Sequence, residues 1–379
     1  MINITKLLYG ISSFGDRLRY KKKKNLRPVV VWNITRRCNL NCVHCYSDSF
    51  NKKYPGELKT KEAENLIKDL ADFGVPVILF SGGEPILRKD IFKLASLAKK
   101  FGIYTVLSTN GTLIDKEMAK DIKENFDYVG ISLDGIGENN DRFRGKKGAY
   151  NLALLGIRNL KRLGQKIGLR FTITKRNYLE LPKIFDLVER EDINRVCFYH
   201  LVYSGRGSNM FKDDLTHIQM RECIDNIFDW VNSLYRRKIK KEVLTVDNHA
   251  DGVYLYLKLK RKDPKKAERV LKLLRYNGGN NSGIGIACID NLGFVYADQF
   301  LKNYSFGNVL KRRFEDIWLD KGNPFLKRLR ERKIYLKGRC KICKFLDICN
   351  GNFRARALAV YKDIWEEDPA CYLCTREIT

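Results

Sequence analysis

Between Val29 and Val202 the chain alternates short apolar runs with stretches of helical periodicity, and no other feature restricts its fold so tightly. The apolar runs are Val29–Ile34, Val77–Phe80, Tyr104–Ser108, Tyr128–Leu133, Ile167–Ile173 and Arg195–Val202. Each has the length of a buried strand. Helical patterns lie between them, near 60–73, 90–101, 115–125, 148–163 and 179–190, with Thr60, Asp90 and Asp115 as expected N-caps. Parallel strands need a crossover, so this alternation predicts an α/β fold built on a parallel sheet. Six units are too few for a closed eight-unit barrel and predict a partial one, with its chemistry at the C-terminal strand ends.

The first strand delivers a Cys-rich loop to that end: Cys38-Asn39-Leu40-Asn41-Cys42-Val43-His44-Cys45-Tyr46. Three thiolates so close together suit a metal, and two readings follow. A four-iron cluster held by three cysteines keeps one iron open to a ligand that is not protein. A structural zinc ion wants four protein ligands, and only His44 stands nearby as the fourth. A disulfide is disfavoured by the odd count and the tight spacing.

Ser81-Gly82-Gly83-Glu84-Pro85 follows the second strand. It reads as an ordinary strand-to-helix turn, or as a place where backbone approaches a ligand and a carboxylate receives an ammonium. Ser108-Thr109-Asn110-Gly111 and Ser132-Leu133-Asp134-Gly135 put small polar groups on the same rim. Arg170, within the fifth strand, faces either a ligand carboxylate or a salt bridge on the strand face. Tyr199 and His200 end the sixth strand, and Asp247, Asn248, His249 and Asp251 crowd one segment. A satisfied core histidine is the ordinary reading of His200 and of His249; substrate contact, axial ligation of an iron macrocycle or proton transfer is the other.

Past Val202 the pattern changes to helices near 214–238, 252–262 and 264–275, then to a second Cys group: Cys340, Cys343 and Cys349, with Cys371 and Cys374 beyond. A zinc ribbon and a second cluster both fit the CxxC spacing. The expected divisions are a basic lead-in (1–27), the barrel (28–238), a helical bridge (239–283) and a Cys-rich unit (284–379).

Hydrophobic content of 44% and 11% aromatics describe a globular chain. No run reaches the ~20 apolar residues of a membrane span, and clustered cysteines point to metal in a reducing compartment, so a cytoplasmic protein is expected. The net charge of +28, densest at Lys21-Lys22-Lys23-Lys24, is spread along the chain. It reads as a solvated surface that favours small polycarboxylates, not as a nucleic-acid footprint.

The CxxxCxxC run with its following aromatic, joined to Gly82-Gly83-Glu84-Pro85, resembles the radical S-adenosylmethionine (SAM) family. The resemblance implies that Cys38, Cys42 and Cys45 hold a [4Fe–4S] cluster whose open iron chelates SAM. It further implies that Gly82, Gly83 and Glu84 bind the methionyl amino group, that Tyr46 lies beside the adenine, and that Ser132, Asp134 and Arg170 hold the carboxylate and ribose. Ser305-Phe306-Gly307-Asn308-Val309, Ile317-Trp318 and the second CxxC resemble the SPASM/twitch extension. Phe353 stands where that pattern has a cysteine, so one auxiliary [4Fe–4S] cluster is implied, on Cys340, Cys343, Cys349 and Cys371, with Cys374 as the substitute for Cys371. Cys288 is left as a thiol of the missing cluster, while Cys197 and Cys223 read as packing residues.

Longer stretches, including Val31–Cys38, Tyr128–Gly135 and Cys197–Tyr203, resemble the tetrapyrrole-modifying branch of this family. That branch implies removal of acetate side chains from didecarboxysirohaem through a 5′-deoxyadenosyl radical, an iron tetrapyrrole as substrate, and a ferredoxin or flavodoxin as electron donor. Tyr199, His200 and His249 are the expected catalytic residues. Propionate chemistry of the haem d1 type and peptide modification are the alternatives, and a lead-in of 27 residues leaves no room for a peptide-recognition domain.

Overall fold

The valine-rich run expected as the first barrel strand lies inside one continuous sheet in the computed structural model, which describes residues 1–20 and 27–379. The lysine run 21–24 lies outside the described residues. The strands are β1 (Ile2–Asn3), β2 (Val29–Thr35), β3 (Val77–Gly82), β4 (Tyr104–Thr109), β5 (Tyr128–Ser132), β6 (Ile167–Ile173), β7 (Arg195–His200), β8 (Glu242–Val246), β9 (Ile286–Ile289), β10 (Phe294–Tyr296) and β11 (Gly307–Asn308). They pair in the order β1-β8-β7-β6-β5-β4-β3-β2-β9-β10-β11. From β8 through β2 to β9 every pairing is parallel. The outer pairings are antiparallel.

Alternation along the strands sorts the side chains into two cores. On β2, Val30, Trp32 and Ile34 pack outward with Leu66, Ile67 and Leu70 of helix Thr60–Phe73 in the main core. Val31 points the other way, toward Cys288 and Tyr296.

All six expected barrel strands form, and the crossover helices Thr60–Phe73, Ile91–Lys100, Lys116–Asn125, Ala149–Arg162 and Leu181–Arg190 occupy the expected stretches. One cap is displaced, and a second, Asp90, holds the N-cap position of Ile91–Lys100 without a side-chain capping bond. Asp115 accepts from Met118 N at 2.8 Å as expected. Thr60 is instead the first helical residue after Lys59, and the Asp90 carboxylate is held by Arg88 Nε at 2.7 Å.

Three segments correct the expected divisions. The stretch 239–283 opens with β8, which adds a seventh barrel strand before the helices Ala250–Lys262 and Pro264–Asn277. The N-terminal lead-in supplies β1 against β8. It also covers the lower mouth of the barrel, where Arg19 pairs with Glu242 at 3.0 Å and Phe14 stacks on Tyr104 at 5.0 Å. The Cys-rich unit is not separate either, since β9 extends the barrel sheet beside β2.

That unit is fastened by a fully buried pair, Arg356 with Asp368 at 2.7 Å. Arg356 also donates to Leu201 O at 3.0 Å and Asp247 O at 2.6 Å, so one guanidinium holds the loops that follow β7 and β8. Among the described residues no helix is long and apolar enough to cross a membrane.

Candidate functional site

The Cys-rich loop leaves β2 and is moulded by backbone contacts from two later segments. Asn41 N donates to Arg144 O at 3.2 Å and Val43 N to Phe143 O at 3.1 Å. Arg206 donates from Nε to Cys42 O at 2.9 Å, and its amide donates to Cys45 O at 2.9 Å. Gly205, at φ +59°, passes so close that a Cβ would stand 2.4 Å from Cys45 O. The three sulfurs collect donors: Leu40 N at 3.4 Å on Cys38, Arg144 Nη1 at 3.7 Å on Cys42, and Ser49 N at 3.4 Å on Cys45. Burial pushes the Cys38 thiol up to about 12 and raises Cys42 as well, with Arg144 opposing. Thiols held so dry, yet supplied with donors, suit sulfur that carries charge onto a metal.

The glycine pair sits where β3 ends beside this loop. Gly83 N donates to Thr35 O and Glu84 N to Arg37 O, both at 2.8 Å. A Cβ on Gly82 (φ +122°) would lie 2.2 Å from Thr35 O, and one on Gly83 would lie 2.1 Å from Arg37 O. Close approach here is to the chain's own backbone, a stricter demand than the ligand contact expected from sequence. Glu84 is fully buried and accepts from Thr109 Oγ1 and Asn110 N at 2.8 Å each. Burial still outweighs those bonds and lifts its carboxyl to about 7.

Above the glycines a cavity of about 200 Å³ is lined by Cys38, Cys42, Cys45, Tyr46, Gly82 and Gly83, and on its other side by Ser132, Arg170, Tyr199, His200 and Asp247. Tyr46 donates to Asn33 Oδ1 at 3.0 Å. Arg170 lies flat across β5, over Gly130, where a Cβ would meet its Nε at 2.3 Å, and it reaches Ser108 Oγ on β4. Tyr46, Ser47 and Phe300 also border an outer basin of about 480 Å³ that includes Arg36, Tyr54 and Lys302.

Asp134 is the first departure. It does not line the cavity but is buried beneath it, accepting from Thr172 N at 2.6 Å, paired with Arg144 and 3.5 Å from His44 Nε2. Burial lowers the His44 imidazole to about 4, so it stays neutral. His249 is the second. It lies in the helix-opening turn beyond the cavity, with Nε2 3.4 Å from the Met1 amine. His200 does line the cavity, but both ring nitrogens are engaged: Nε2 with Asp251 Oδ2 at 2.9 Å and Nδ1 with Asn248 Nδ2 at 3.4 Å. Axial ligation would have to break one of these bonds.

The second Cys group closes around its own hollow. Cys340, Cys343, Cys349 and Cys371 line it with Phe345, Leu346 and Leu373. Cys374 is exposed and does not, serving instead as the cap of the last helical turn. Burial lifts Cys371 to about 12 and raises Cys349 further. Phe353 packs on Phe300 at 5.4 Å. Cys288 is fully buried on β9, where Asn33 Nδ2 donates to it at 3.6 Å.

A family model described as the radical SAM superfamily matches residues 32–188, the span from β2 to the helix before β7. Fe-coproporphyrin III synthase of Methanosarcina barkeri is 52% identical, with 100% of this chain and 99% of that protein aligned. The chain belongs to the radical SAM superfamily. Pre-haem d1 synthase of Dinoroseobacter shibae is 43% identical over 98% of this chain and 93% of its own. Among solved structures, Streptococcus suis SuiB bound to its precursor peptide superposes with a TM-score of 0.73 at 19% identity, covering 92% of this chain and 76% of that one. AdoMet-bound anSMEcpe gives 0.69 at 21%, covering 91% and 94%. These two SPASM-type enzymes share the fold of barrel and C-terminal unit together.

As a radical SAM enzyme the chain uses a [4Fe–4S] cluster and SAM, and the cavity suits both: three donor-rich sulfurs on one side, the Asp247 carboxylate and the Arg170 guanidinium on the others, while Glu84 lies outside the lining. One residue that lines this cavity escapes a reading of motifs, and another, Asp247, is marked in the sequence only as part of a polar cluster. Arg144 ends helix Glu138–Arg144 in a charged run that looks solvated, and only the fold brings it to Cys42. Asp247 stands at the end of β8 with φ +67°, an unusual backbone for a residue other than glycine, and burial lifts its carboxyl to about 6.

Proposed function

We propose that this enzyme removes two acetate side chains from didecarboxysirohaem to give an iron coproporphyrin. The observation that carries this reading is 52% identity, over the entire chain, to a protein named Fe-coproporphyrin III synthase. The likeness to a pre-haem d1 synthase supports the same class of substrate.

In this reading Cys38, Cys42 and Cys45 hold the cluster, and Gly82, Gly83 and Glu84 take the methionyl ammonium of SAM beside it. When bound, cluster and SAM together supply an electron and a 5′-deoxyadenosyl radical able to take hydrogen from carbon. Glu84 receives the ammonium in a dry site, which adds a cation to the hydrogen bonds its buried carboxylate takes from Thr109 and Asn110. Arg170, braced on Ser108, offers its guanidinium to the methionyl carboxylate, while Ser132 and Tyr46 border ribose and adenine. The outer basin takes the flat macrocycle between Tyr46, Tyr54 and Phe300, with Arg36 and Lys302 meeting its carboxylates. Tyr199 closes the inner wall and excludes water from the reacting carbon.

Cys340, Cys343, Cys349 and Cys371 hold an auxiliary [4Fe–4S] cluster in a C-terminal unit spanning 284–379, and a ferredoxin or flavodoxin supplies the electrons. The test is anaerobic reconstitution with iron and sulfide, followed by SAM, dithionite and didecarboxysirohaem, with tetrapyrroles followed by mass. Loss of two acetate arms is expected. Loss of propionate mass moves the assignment to haem d1-type chemistry, and 5′-deoxyadenosine formed over an unchanged tetrapyrrole rejects the substrate.

A further inference from the structure

Arg144 touches a thiol that no motif assigned to it. Its guanidinium is buried and divided between two tasks: Nη1 donates to Cys42 Sγ at 3.7 Å and Nη2 pairs with Asp134, while Nε has no hydrogen-bond partner among the described residues. The backbone fixes this placement. The end of helix Glu138–Arg144 is stitched to the Cys loop at Asn41 and Val43, and Gly145 (φ +67°) passes Asn41 O so closely that a Cβ would stand 2.4 Å away. Asp134 is equally immobile, 1% exposed and held by Thr172 N at 2.6 Å.

We propose that Arg144 is the permanent counter-charge of the cluster at Cys42, and that Asp134 sets how much of that charge the cluster feels. The inference rests on Cys42 being a ligand. Guanidinium does not lose its proton in proteins, so the charge is constant. Reduction adds one electron to the cluster. A cation and an N–H···S bond beside the cluster stabilise that added charge, and the low dielectric of a buried site strengthens the effect. Asp134 opposes it by drawing the guanidinium's charge to itself. Arg144 therefore raises the reduction potential, and Asp134 lowers it again.

The experiment is an anaerobic redox titration followed by electron paramagnetic resonance, using the signal that SAM perturbs, on wild type, Arg144→Met, Arg144→Lys and Asp134→Asn. Arg144→Met should make the cluster harder to reduce, lowering the reduced-to-oxidised ratio at fixed potential about tenfold, or about 59 mV for one electron. Arg144→Lys keeps the charge and should fall between that variant and wild type. Asp134→Asn should shift the other way, toward easier reduction. A merely structural role would lower cluster content in both variants and leave the potential of the loaded fraction unmoved, which overturns the proposal, as do shifts of the same sign. If Arg144→Met holds no cluster, the sign of the Asp134→Asn shift decides alone. Cys42→Ala tests the underlying reading separately, since a surviving SAM-perturbed signal in that variant would reject Cys42 as a ligand whatever the Arg144 variants do.

Discussion

Glu84 carries its charge in a place with little room for it. Its carboxyl ordinarily titrates near 4.5 and is lifted to about 7 by burial. Below pH 4.5 the group is protonated whether the chain is folded or not, and no cost arises. As pH rises from 4.5 to about 7 the unfolded chain ionises first, so the folded state loses stability, by about 3 kcal/mol in all, and the loss levels off above that window. Denaturant melts of metal-free protein at pH 5 and pH 8 should show this drop, and Glu84→Gln should flatten it. Gly83→Ala is expected to do worse damage, because its methyl would collide with Arg37 O and the adjoining backbone cannot yield; a loss of about 1–3 kcal/mol, with SAM binding lost as well, is the expected result by thermal melt and equilibrium dialysis. The cysteines and glycines of the site are legible in the sequence because their spacing is local. Arg144 is not, because Arg-Phe-Arg in a polar helix looks like solvated surface until the fold sets it against Cys42.

Among the elements, the two C-terminal thiols left open by the sequence now differ in surroundings. Cys371 lines the hollow with Cys340, Cys343 and Cys349, whereas Cys374 stands exposed. Cys371→Ser should lower bound iron by one cluster per chain on reconstitution, and Cys374→Ser should leave it at the wild-type value. The buried Arg356–Asp368 pair fastens the Cys-rich unit, and Arg356→Met would leave the Asp368 carboxylate without its ion-pair partner, held by the amides of Phe353 and Ala370; a cost of about 3–5 kcal/mol in equilibrium unfolding is expected. Six barrel strands were readable because each is an apolar run with a helix on either side. β8 was not, since Lys240-Lys241 precede it, Glu242 opens it and its apolar stretch is short. β1, β10 and β11, each of two or three residues, owe their form to strands already in place.

Over the whole molecule the net charge of +28 has a direction of use at the outer basin, where Arg36 and Lys302 border the opening. Lys302→Glu should raise the KM for the tetrapyrrole about tenfold with little change in SAM cleavage, and added salt should weaken wild-type binding more than that of the variant. The sheet carries a further implication for how the enzyme is made. Ile2 pairs with Thr245, so β1 leaves the ribosome long before β8, the strand it pairs with. Cys38, Cys42 and Cys45 also emerge well before Arg144, Gly205 and Arg206, the residues that shape their loop. During synthesis the three thiols are therefore bare and solvated, open to oxidation or to the wrong metal. Correct loading waits until Arg144, Gly205 and Arg206 have emerged and closed around them.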